Sequence, residues 1–340
     1  MPDSLDTSGD RTVSELEEDG LVARLIERIG PPATNETWSG DDAAVLNPRA
    51  GKLLATVDGL IEGVDYDLRY MSAADVGWKA VMTSASDCAA MGGRPAHCLA
   101  TVGLRHDTPL SFYDGVLDGM LEAAGALGMA LVGGDITRAR ETSLTVSVLG
   151  YAQTPVYRSG ASEGDTLCVT GSLGAAAAGL RALQGHIEIP ARLEEAAARL
   201  KSRQIRPRAR IEEGVALAER GATAMIDVSD GLGIDLGRLL RASGYGCEVD
   251  TARVPISEDV IAVAEQAAGL NPLELALAGG EDYELLAAVP EAFVDDARRA
   301  LRELGCSLTS IGTVTVGEPR LGADPLEKWE KAGWDHLRHV

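Results

Sequence analysis

Residues 226–232 constrain the fold of this chain most, because they place two aspartates and a serine between an apolar strand and an apolar helix. Residues 222–226 are typical of a short buried strand, and the leucines after residue 231 recur at helical spacing. Ser229 or Asp230 could be only an N-cap, since helices favour such residues at that position. Capping does not explain Asp227, and the three side chains together supply hard oxygen ligands of the kind that Mg²⁺ takes.

Three more carboxylates lie beside apolar runs: Asp42, Asp58 and Asp135. Asp58 ends a predicted strand at residues 53–57, and Asp135 follows a glycine pair after a predicted strand at residues 130–132. Asp42 belongs to an aspartate pair after a glycine, which is also typical of a solvated turn. The glycine pair allows either close approach of a ligand to the backbone or a tight turn. Each position alone leaves both interpretations open.

Asp87 is a further candidate, on a predicted helix. Residues 72–91 are predicted to form a helix that Ser72 caps and that Gly92 ends. Between residues 80 and 93 Asp87 is the only charged residue, and its neighbours at helical spacing are small or apolar. A carboxylate on such a face is costly unless it is paired or bound to a metal ion, which favours a functional role.

The chemistry of these six aspartates indicates magnesium. If the carboxylates converge, their mutual repulsion requires divalent cations. Five histidines without paired spacing disfavour zinc. Residues 171–174 form a glycine turn before an alanine-rich helix, which could hold a phosphate or could only allow tight packing, and neither common phosphate-loop motif occurs. The residues alone therefore predict Mg²⁺-dependent phosphate chemistry.

Composition excludes several classes of protein. The formal charge is 31 − 52 = −21, which works against nonspecific nucleic-acid binding. No long apolar run or signal segment is found, so we expect no membrane span and a cytoplasmic location. Five cysteines are scattered without paired spacing, which predicts buried thiols.

The order of strands and helices predicts an α/β or α+β protein of two domains. The predicted divisions are a disordered acidic tail at residues 1–13, an N-terminal domain at residues 14–152 and a C-terminal domain at residues 153–340. Ser14 and Glu17 form a capping-box pattern that predicts the start of the first helix.

Six strings, taken in order, resemble the thiamine-monophosphate kinase family. They are GDDAAVL (40–46), TVDGLIEGV (56–64), SDCAAMGG (86–93), GGDITR (133–138), DVSDGL (227–232) and GGEDYEL (279–285). The resemblance implies a two-domain PurM-like fold, with an N-terminal domain that forms a shared β-barrel in a homodimer and a C-terminal α/β domain. It also implies transfer of the γ-phosphoryl group of ATP to thiamine monophosphate, which gives thiamine diphosphate and ADP.

The resemblance also assigns roles to individual residues. Several Mg²⁺ ions would be held by Asp42, Thr56, Val57 (through its carbonyl), Asp58, Asp87, Asp135, Asp227 and Asp230. ATP would be bound by Gly134, Asp135, Arg158 and Ser229. The substrate would be bound by Asp65, Glu281 and Trp334. No general base is implied, because the acceptor is already an ionised phosphate, and Arg158 would neutralise charge on the transferred group.

Asp65 departs from the family pattern, since the resemblance places a histidine there. A carboxylate at this position would meet another ion, contact the thiazolium or alter substrate use. The alternative functions are another ATP-dependent enzyme of the same superfamily and a noncatalytic nucleotide- or Mg²⁺-binding homologue. Selenophosphate synthetases need an early reactive cysteine, whereas the first one here is Cys88, and the hydrogenase maturation factors need a C-terminal cysteine, which is absent.

Overall fold

The computed structural model describes residues 11–39, 41–267 and 269–334, which form two compact units. The first unit comprises Met1–Ala85 and Pro95–Tyr151, and the second comprises Ser86–Arg94 and Ala152–Val340. The chain thus enters the second unit twice. The short segment Ser86–Arg94 belongs to the second unit, although it lies within the predicted N-terminal domain at residues 14–152.

The first unit contains a four-stranded sheet with the order β1-β4-β2-β3. In chain order its elements are α1 (Glu17–Ile29), β1 (Lys52–Ile61), α2 (Ala73–Ala90), β2 (Arg94–Leu104), α3 (Leu110–Ala126), β3 (Ala130–Arg138) and β4 (Ser143–Ala152). The last turn of α2, from Ser86, already belongs to the second unit. The strands β2 and β3 run parallel, with Thr101 opposite Asp135.

The N-terminal prediction is wrong at its boundary. Residues 1–10 of the predicted tail lie outside the described residues, but Val13 is buried, and its N–H donates to the carbonyl of Thr108 at 2.9 Å. The capping box is formed by Thr12 and Glu15 around a short 3₁₀ helix instead of by the predicted pair. Glu17 then has a φ of 58° where α1 begins. Residues 12 and 13, which the sequence assigned to the tail, are therefore ordered by contact with the loop before α3.

Helices α2 and α3 pack with their backbones in contact, because glycines lie where they cross. A Cβ atom on Gly77 would lie 2.1 Å from the carbonyl oxygen of Val116, and one on Gly119 would lie 1.9 Å from that of Ala74. Both distances are shorter than any tolerated contact, so the helices approach closely only because these positions lack side chains.

We expect Gly119→Ala to destabilise the protein by about 1–3 kcal/mol, because the added methyl group must push α3 away from α2. The measurement is the free energy of unfolding in urea. Gly125→Ala on the same helix is the matched control, because a Cβ there meets nothing within 4 Å. It should be neutral or stabilising by up to about 1 kcal/mol. Equal effects of the two variants would contradict this account of the packing.

The second unit contains a seven-stranded sheet with the order β11-β10-β7-β9-β5-β8-β6. Its strands are β5 (Thr166–Thr170), β6 (Ala224–Val228), β7 (Gly246–Val249), β8 (Glu284–Val289), β9 (Leu308–Thr315), β10 (Arg320–Leu321) and β11 (Asp324–Pro325). Its helices are α4 (Ala175–Leu183), α5 (Glu194–Ile205), α6 (Ile211–Glu219), α7 (Leu232–Ser243), α8 (Glu258–Ala264), α9 (Pro272–Ala278), α10 (Glu291–Glu303) and α11 (Leu326–Ala332).

The core of the second unit lies between this sheet and α7. Leu167, Ile226 and Leu286 from three strands pack with Leu236 and Leu239, and all five side chains are at most 1% exposed. The strand pairs β5–β8 and β6–β8 are antiparallel. The predicted mixed α/β architecture is confirmed.

The cysteines agree with a further prediction. All five cysteines are free thiols with buried side chains, as their scattered spacing predicted. Burial raises the pKa of Cys88 and of Cys98 to about 12, so both thiols stay protonated at neutral pH. Within the described ranges, none of the helices combines the length and the apolar character that crossing a bilayer requires.

Candidate active site

The first unit contains a cavity of about 480 Å³ between α1, α3 and the sheet. Apolar residues from these elements form part of its wall. The charged, hydroxyl and glycine residues of the wall include Glu18, Ser39, Asp41, Asp42, Gly133, Gly134 and Asp135. Asp42 and Asp135, which are predicted from separate motifs, therefore line one cavity, and the sequence did not single out Asp41.

Gly133 and Gly134 lie inside β3 and do not form the tight turn that sequence allowed. A Cβ on Gly134 would lie 1.8 Å from the carbonyl oxygen of Ala100 on the paired strand. Only glycine fits there, and it leaves the backbone exposed beside Asp135. The prediction that Asp135 follows a strand is therefore wrong, because the aspartate is part of β3.

Asp58 also lies within a strand, because β1 continues to Ile61 instead of ending at residue 57. Asp58 is half-buried, whereas Val57 on the opposite face of β1 is exposed. The strands β1 and β3 are the two edges of the sheet, so two strands lie between Asp58 and Asp135. The sheet of the first unit therefore carries these carboxylates on opposite edges.

A buried pair fixes the loop that carries the aspartate pair. Nε2 of His97 on β2 lies 3.4 Å from Oε1 of Glu36, and both side chains are at most 5% exposed. Glu36 also accepts hydrogen bonds from the indole of Trp38 at 2.9 Å and from the backbone of Asn47 at 3.0 Å. These donors lower the pKa of Glu36. The loop is thus held at both ends of the segment that contains Asp42.

Asp65 has a local structural role. Its carboxylate accepts the backbone N–H of Ile61 at 2.8 Å, which closes the turn after β1. The carbonyl of Asp65 accepts a hydrogen bond from Nζ of Lys79 at 2.9 Å, and Lys79 is fully buried on α2. The residue that departs from the family pattern therefore has contacts that stabilise its own turn.

In the second unit, the end of α2 contacts the end of β6. The hydroxyl of Ser86 donates to the carboxylate of Asp227 at 2.6 Å, and both side chains are buried. Asp227 lies within β6, one residue before its end, whereas the sequence analysis predicted that it follows the strand. Asp87, which follows Ser86, is half-buried. Two of the predicted metal ligands are thus brought to one region by adjacent residues.

The loop after β6 is capped from inside α7. The N-cap residue of α7 is Gly231, and neither Ser229 nor Asp230 makes a side-chain cap. Instead, the fully buried carboxylate of Asp235 accepts the backbone N–H groups of Ser229 and Asp230 at 3.0 Å each. The capping alternative for the two predicted residues is therefore wrong.

Arg238 joins Asp230 of this loop to Asp235 of α7. One of its guanidinium nitrogens lies 2.6 Å from the carboxylate of Asp230 and 2.7 Å from that of Asp235. Burial raises the pKa of Asp235 to about 6. The sequence analysis did not identify Asp235 or Arg238. Asp235 could have been identified, because it is an acid in the first turn of the helix that follows Gly231.

The loop at residues 279–283 lies against the loop after β6. The N–H of Glu281 donates to the carbonyl of Ser229 at 2.7 Å, and that of Tyr283 donates to the carbonyl of Val228 at 2.9 Å. Glu281 and Tyr283 have φ values of 66° and 49°, which few residues other than glycine adopt. Glu281 is thereby held next to the aspartate loop.

Asp282 occupies the N-terminus of α4. Its carboxylate, which is 4% exposed, accepts the N–H of Gly174 at 2.7 Å and that of Ala176 at 3.2 Å. The phosphate interpretation of residues 171–174 is therefore wrong, because a carboxylate of the chain itself takes the amide groups. Burial raises the pKa of Asp282 to about 7.

This pKa predicts a pH dependence of stability. The folded state binds more protons at residue 282 than the unfolded state between about pH 4 and pH 7, so the contribution of Asp282 falls as the pH rises through that range. We expect the unfolding free energy of the parent, relative to Asp282→Asn, to decrease from about pH 4 to pH 7. Urea denaturation measures both, and Asp295→Asn, which removes an exposed carboxylate, controls for net charge. A difference that grows with pH would contradict the raised pKa.

Glu284 is the second buried acid of this segment and is fully buried. It accepts hydrogen bonds from Arg203 at 2.8 Å, from Arg210 at 2.6 and 2.7 Å and from the hydroxyl of Thr170 at 2.7 Å. Sequence reasoning missed this network, because its cations lie about 80 residues from the carboxylate.

Arg158 and Trp334 complete the predicted set. Arg158 lies in an exposed loop, and its carbonyl accepts a hydrogen bond from Ser243 at 3.1 Å. Trp334 donates its backbone N–H to the carbonyl of Asp230 at 3.2 Å, and its side chain is 38% exposed. Trp334 and Arg238 line a second cavity of about 410 Å³. Trp334 thus lies close to the aspartate loop although it is far from it in sequence.

The six predicted carboxylates are divided between the two units. Asp42, Asp58 and Asp135 belong to the first unit, and Asp87, Asp227 and Asp230 belong to the second. Across the described parts of the chain, His, Cys, Asp and Glu side chains do not form groups of three or more that could hold a metal ion. The convergence of all six carboxylates on Mg²⁺ stays a prediction.

Two family profiles cover most of the chain. The one described as AIR synthase related protein, N-terminal domain, matches residues 40–152, and the one described as AIR synthase related protein, C-terminal domain, matches residues 162–322. Both halves of this two-domain architecture are therefore present, in the order that the sequence resemblance implied.

Individual relatives show which family of AIR synthase related proteins this chain resembles. The thiamine-monophosphate kinase of Mycobacterium tuberculosis (strain H37Rv) is 34% identical over 325 residues, which cover 95% of this chain and 92% of that protein. That of Salmonella typhimurium is 37% identical over 330 residues, which cover 94% and 98%. A solved structure described as AaThiL complexed with AMPPCP and TMP has a TM-score of 0.74 at 32% identity and covers 96% and 99%. The chain belongs to the thiamine-monophosphate kinase family.

Proposed function

We propose that this protein transfers the γ-phosphoryl group of ATP to thiamine monophosphate and releases thiamine diphosphate and ADP. The observation that carries the proposal is identity of 34–37% to thiamine-monophosphate kinases over at least 92% of their length. The relative solved with AMPPCP and TMP supports the two substrates. The proposal also agrees with the acidic residues at the site, since both substrates are anions that need cations to approach each other.

We propose several Mg²⁺ ions as the cations that bring the two anionic substrates together. Its donors are carboxylate, hydroxyl and carbonyl oxygens, which are the ligands that magnesium prefers. The proposed ligands are Asp42, Thr56, Val57 (carbonyl), Asp58, Asp87, Asp135, Asp227 and Asp230. When bound, such ions neutralise charge on the phosphates during transfer. The chain's own part is to hold these oxygens in place, as Ser86 does for Asp227 at 2.6 Å.

The nucleotide and the acceptor have their own proposed contacts. Gly134, Asp135, Arg158 and Ser229 would bind ATP, and Asp65, Glu281 and Trp334 would bind the thiamine substrate. Gly134 offers exposed backbone in β3, and the exposed Arg158 can neutralise phosphate charge. A carboxylate and an aromatic face suit the cationic thiazolium. The acceptor phosphate is already ionised, so the reaction needs no general base.

The test is an assay of the purified protein with ATP, Mg²⁺ and thiamine monophosphate, followed by chromatography of thiamine diphosphate. We expect product from the parent and a loss of at least about 100-fold in kcat/KM for Asp87→Asn, because a ligand charge is removed without a change in shape. Asp295→Asn, which removes a carboxylate that is 87% exposed on α10, should keep full activity. Full activity of Asp87→Asn would contradict the metal assignment, and ATP binding without product would favour a noncatalytic homologue.

We further propose that the first unit forms a homodimer through the open face of its sheet. Alternate residues of β1 present an apolar surface, on which Leu53 is 58%, Val57 57% and Ile61 43% exposed. The strand is also an edge of the sheet, and an edge strand is a place where another chain can add by backbone pairing. A contiguous exposed apolar face of this kind is typical of an interface, and a second copy is a partner that is always present.

Leu53→Lys should weaken this association, because it places a charge in the apolar face. Sedimentation velocity should show a dimer for the parent at micromolar concentration and a shift toward the monomer for the variant. Val316→Lys is the control, because it makes the same kind of change at a valine of the second unit that is 72% exposed. A parent that sediments as a monomer would overturn the dimer proposal.

A further inference from the structure

Gln204 on α5 is a buried amide with only part of its hydrogen bonding satisfied. Its side chain is 3% exposed, and its Nε2 donates to the carboxylate of Glu281. Its Oε1 is buried and has no hydrogen-bond partner within the described ranges. A buried carbonyl without a partner destabilises a fold, so an apolar side chain of similar size would serve packing better. The amide therefore needs an explanation other than stability.

The contact with Glu281 supplies that explanation. The backbone of Glu281 is placed by its own hydrogen bond to Ser229 and by its left-handed conformation, with φ 66°. The main chain is therefore set without Gln204. What Gln204 adds is a donor to one carboxylate oxygen, which contributes to the orientation of that group. Because an amide is neutral, this contact orients the carboxylate without cancelling its charge.

The neighbouring acid shows the contrast. Arg203, the residue before Gln204, donates to Glu284 together with Arg210, and that carboxylate is fully buried among cations. Consecutive residues of α5 thus contact Glu281 in the loop and Glu284 at the start of β8 by different means. The ion pairs of Glu284 anchor the loop, whereas the amide contact serves the half-buried Glu281, which lies beside the aspartate loop.

We propose that Gln204 is a positioning residue that directs the carboxylate of Glu281 toward the cationic thiamine part of the substrate and so sets selectivity for it. This inference rests on the proposed function, because it takes Glu281 as a substrate contact. It assigns Gln204 no part in binding the nucleotide. It also predicts an unusual combination of effects, namely weaker substrate binding without loss of stability.

The test compares Gln204→Leu and Gln204→Met with the parent by calorimetry and by thermal unfolding. We expect the Kd for thiamine monophosphate to rise about tenfold, the equivalent of one hydrogen bond. Unphosphorylated thiamine should show the same ratio, because the contact is to the cation. The Kd for AMPPCP with Mg²⁺ should change less than twofold, and the Tm should stay or rise, because the unpartnered carbonyl is gone. Ser202→Ala, at an exposed position of α5, should change none of these values.

A double-mutant cycle tests whether Gln204 acts through Glu281. In a Glu281→Gln background, Gln204→Leu should change the Kd for thiamine monophosphate by less than twofold. Independent effects of the two substitutions, or a lower Tm with unchanged binding, would overturn the inference. Binding of thiamine monophosphate without turnover in the parent would overturn the kinase proposal alone. No binding to the parent would overturn both.

Discussion

The second unit depends on the fully buried carboxylate of Glu284 at the start of β8. Arg203, Arg210 and Thr170 reach it from three other segments. Removing one partner of a buried ion pair leaves an uncompensated charge, which costs roughly 3–5 kcal/mol. These segments therefore assemble together around this carboxylate. Because Glu284 directly follows the loop at residues 279–283, the same network fixes the segment that presents Glu281.

The sequence predicted those features that depend on local patterns. Helix α2 was expected at residues 72–91 and spans Ala73–Ala90, because its cap and its terminal glycines act within a few residues. The two-domain α/β architecture also followed from the order of the elements. Asp42 and Asp135 line one cavity, and Ser86, the neighbour of Asp87, bonds to Asp227. Motifs that were assigned one at a time therefore come together within each unit.

Contacts between distant residues were not predictable in this way. The donors to Glu284 and Glu281 lie on β5, on α5 and before α6, and no spacing rule links them to the loop at residues 279–283. The ends of β1, β3 and β6 were placed too early, because a carboxylate was taken as the end of a strand. Pairing with a neighbouring strand kept each aspartate inside the sheet. The role of Asp282 was also not predictable, because its partners are backbone groups more than 100 residues away in sequence.

The position of Asp282 has a consequence for inhibitor design. A glycine turn followed by a helix attracts compounds that carry a phosphate mimic, because the helix end is partly positive. At α4 the protein's own carboxylate already takes two of those amide groups from within the core. An anionic compound aimed at this turn would have to displace the buried side chain of Asp282. Ligand discovery against this protein should therefore leave α4 aside.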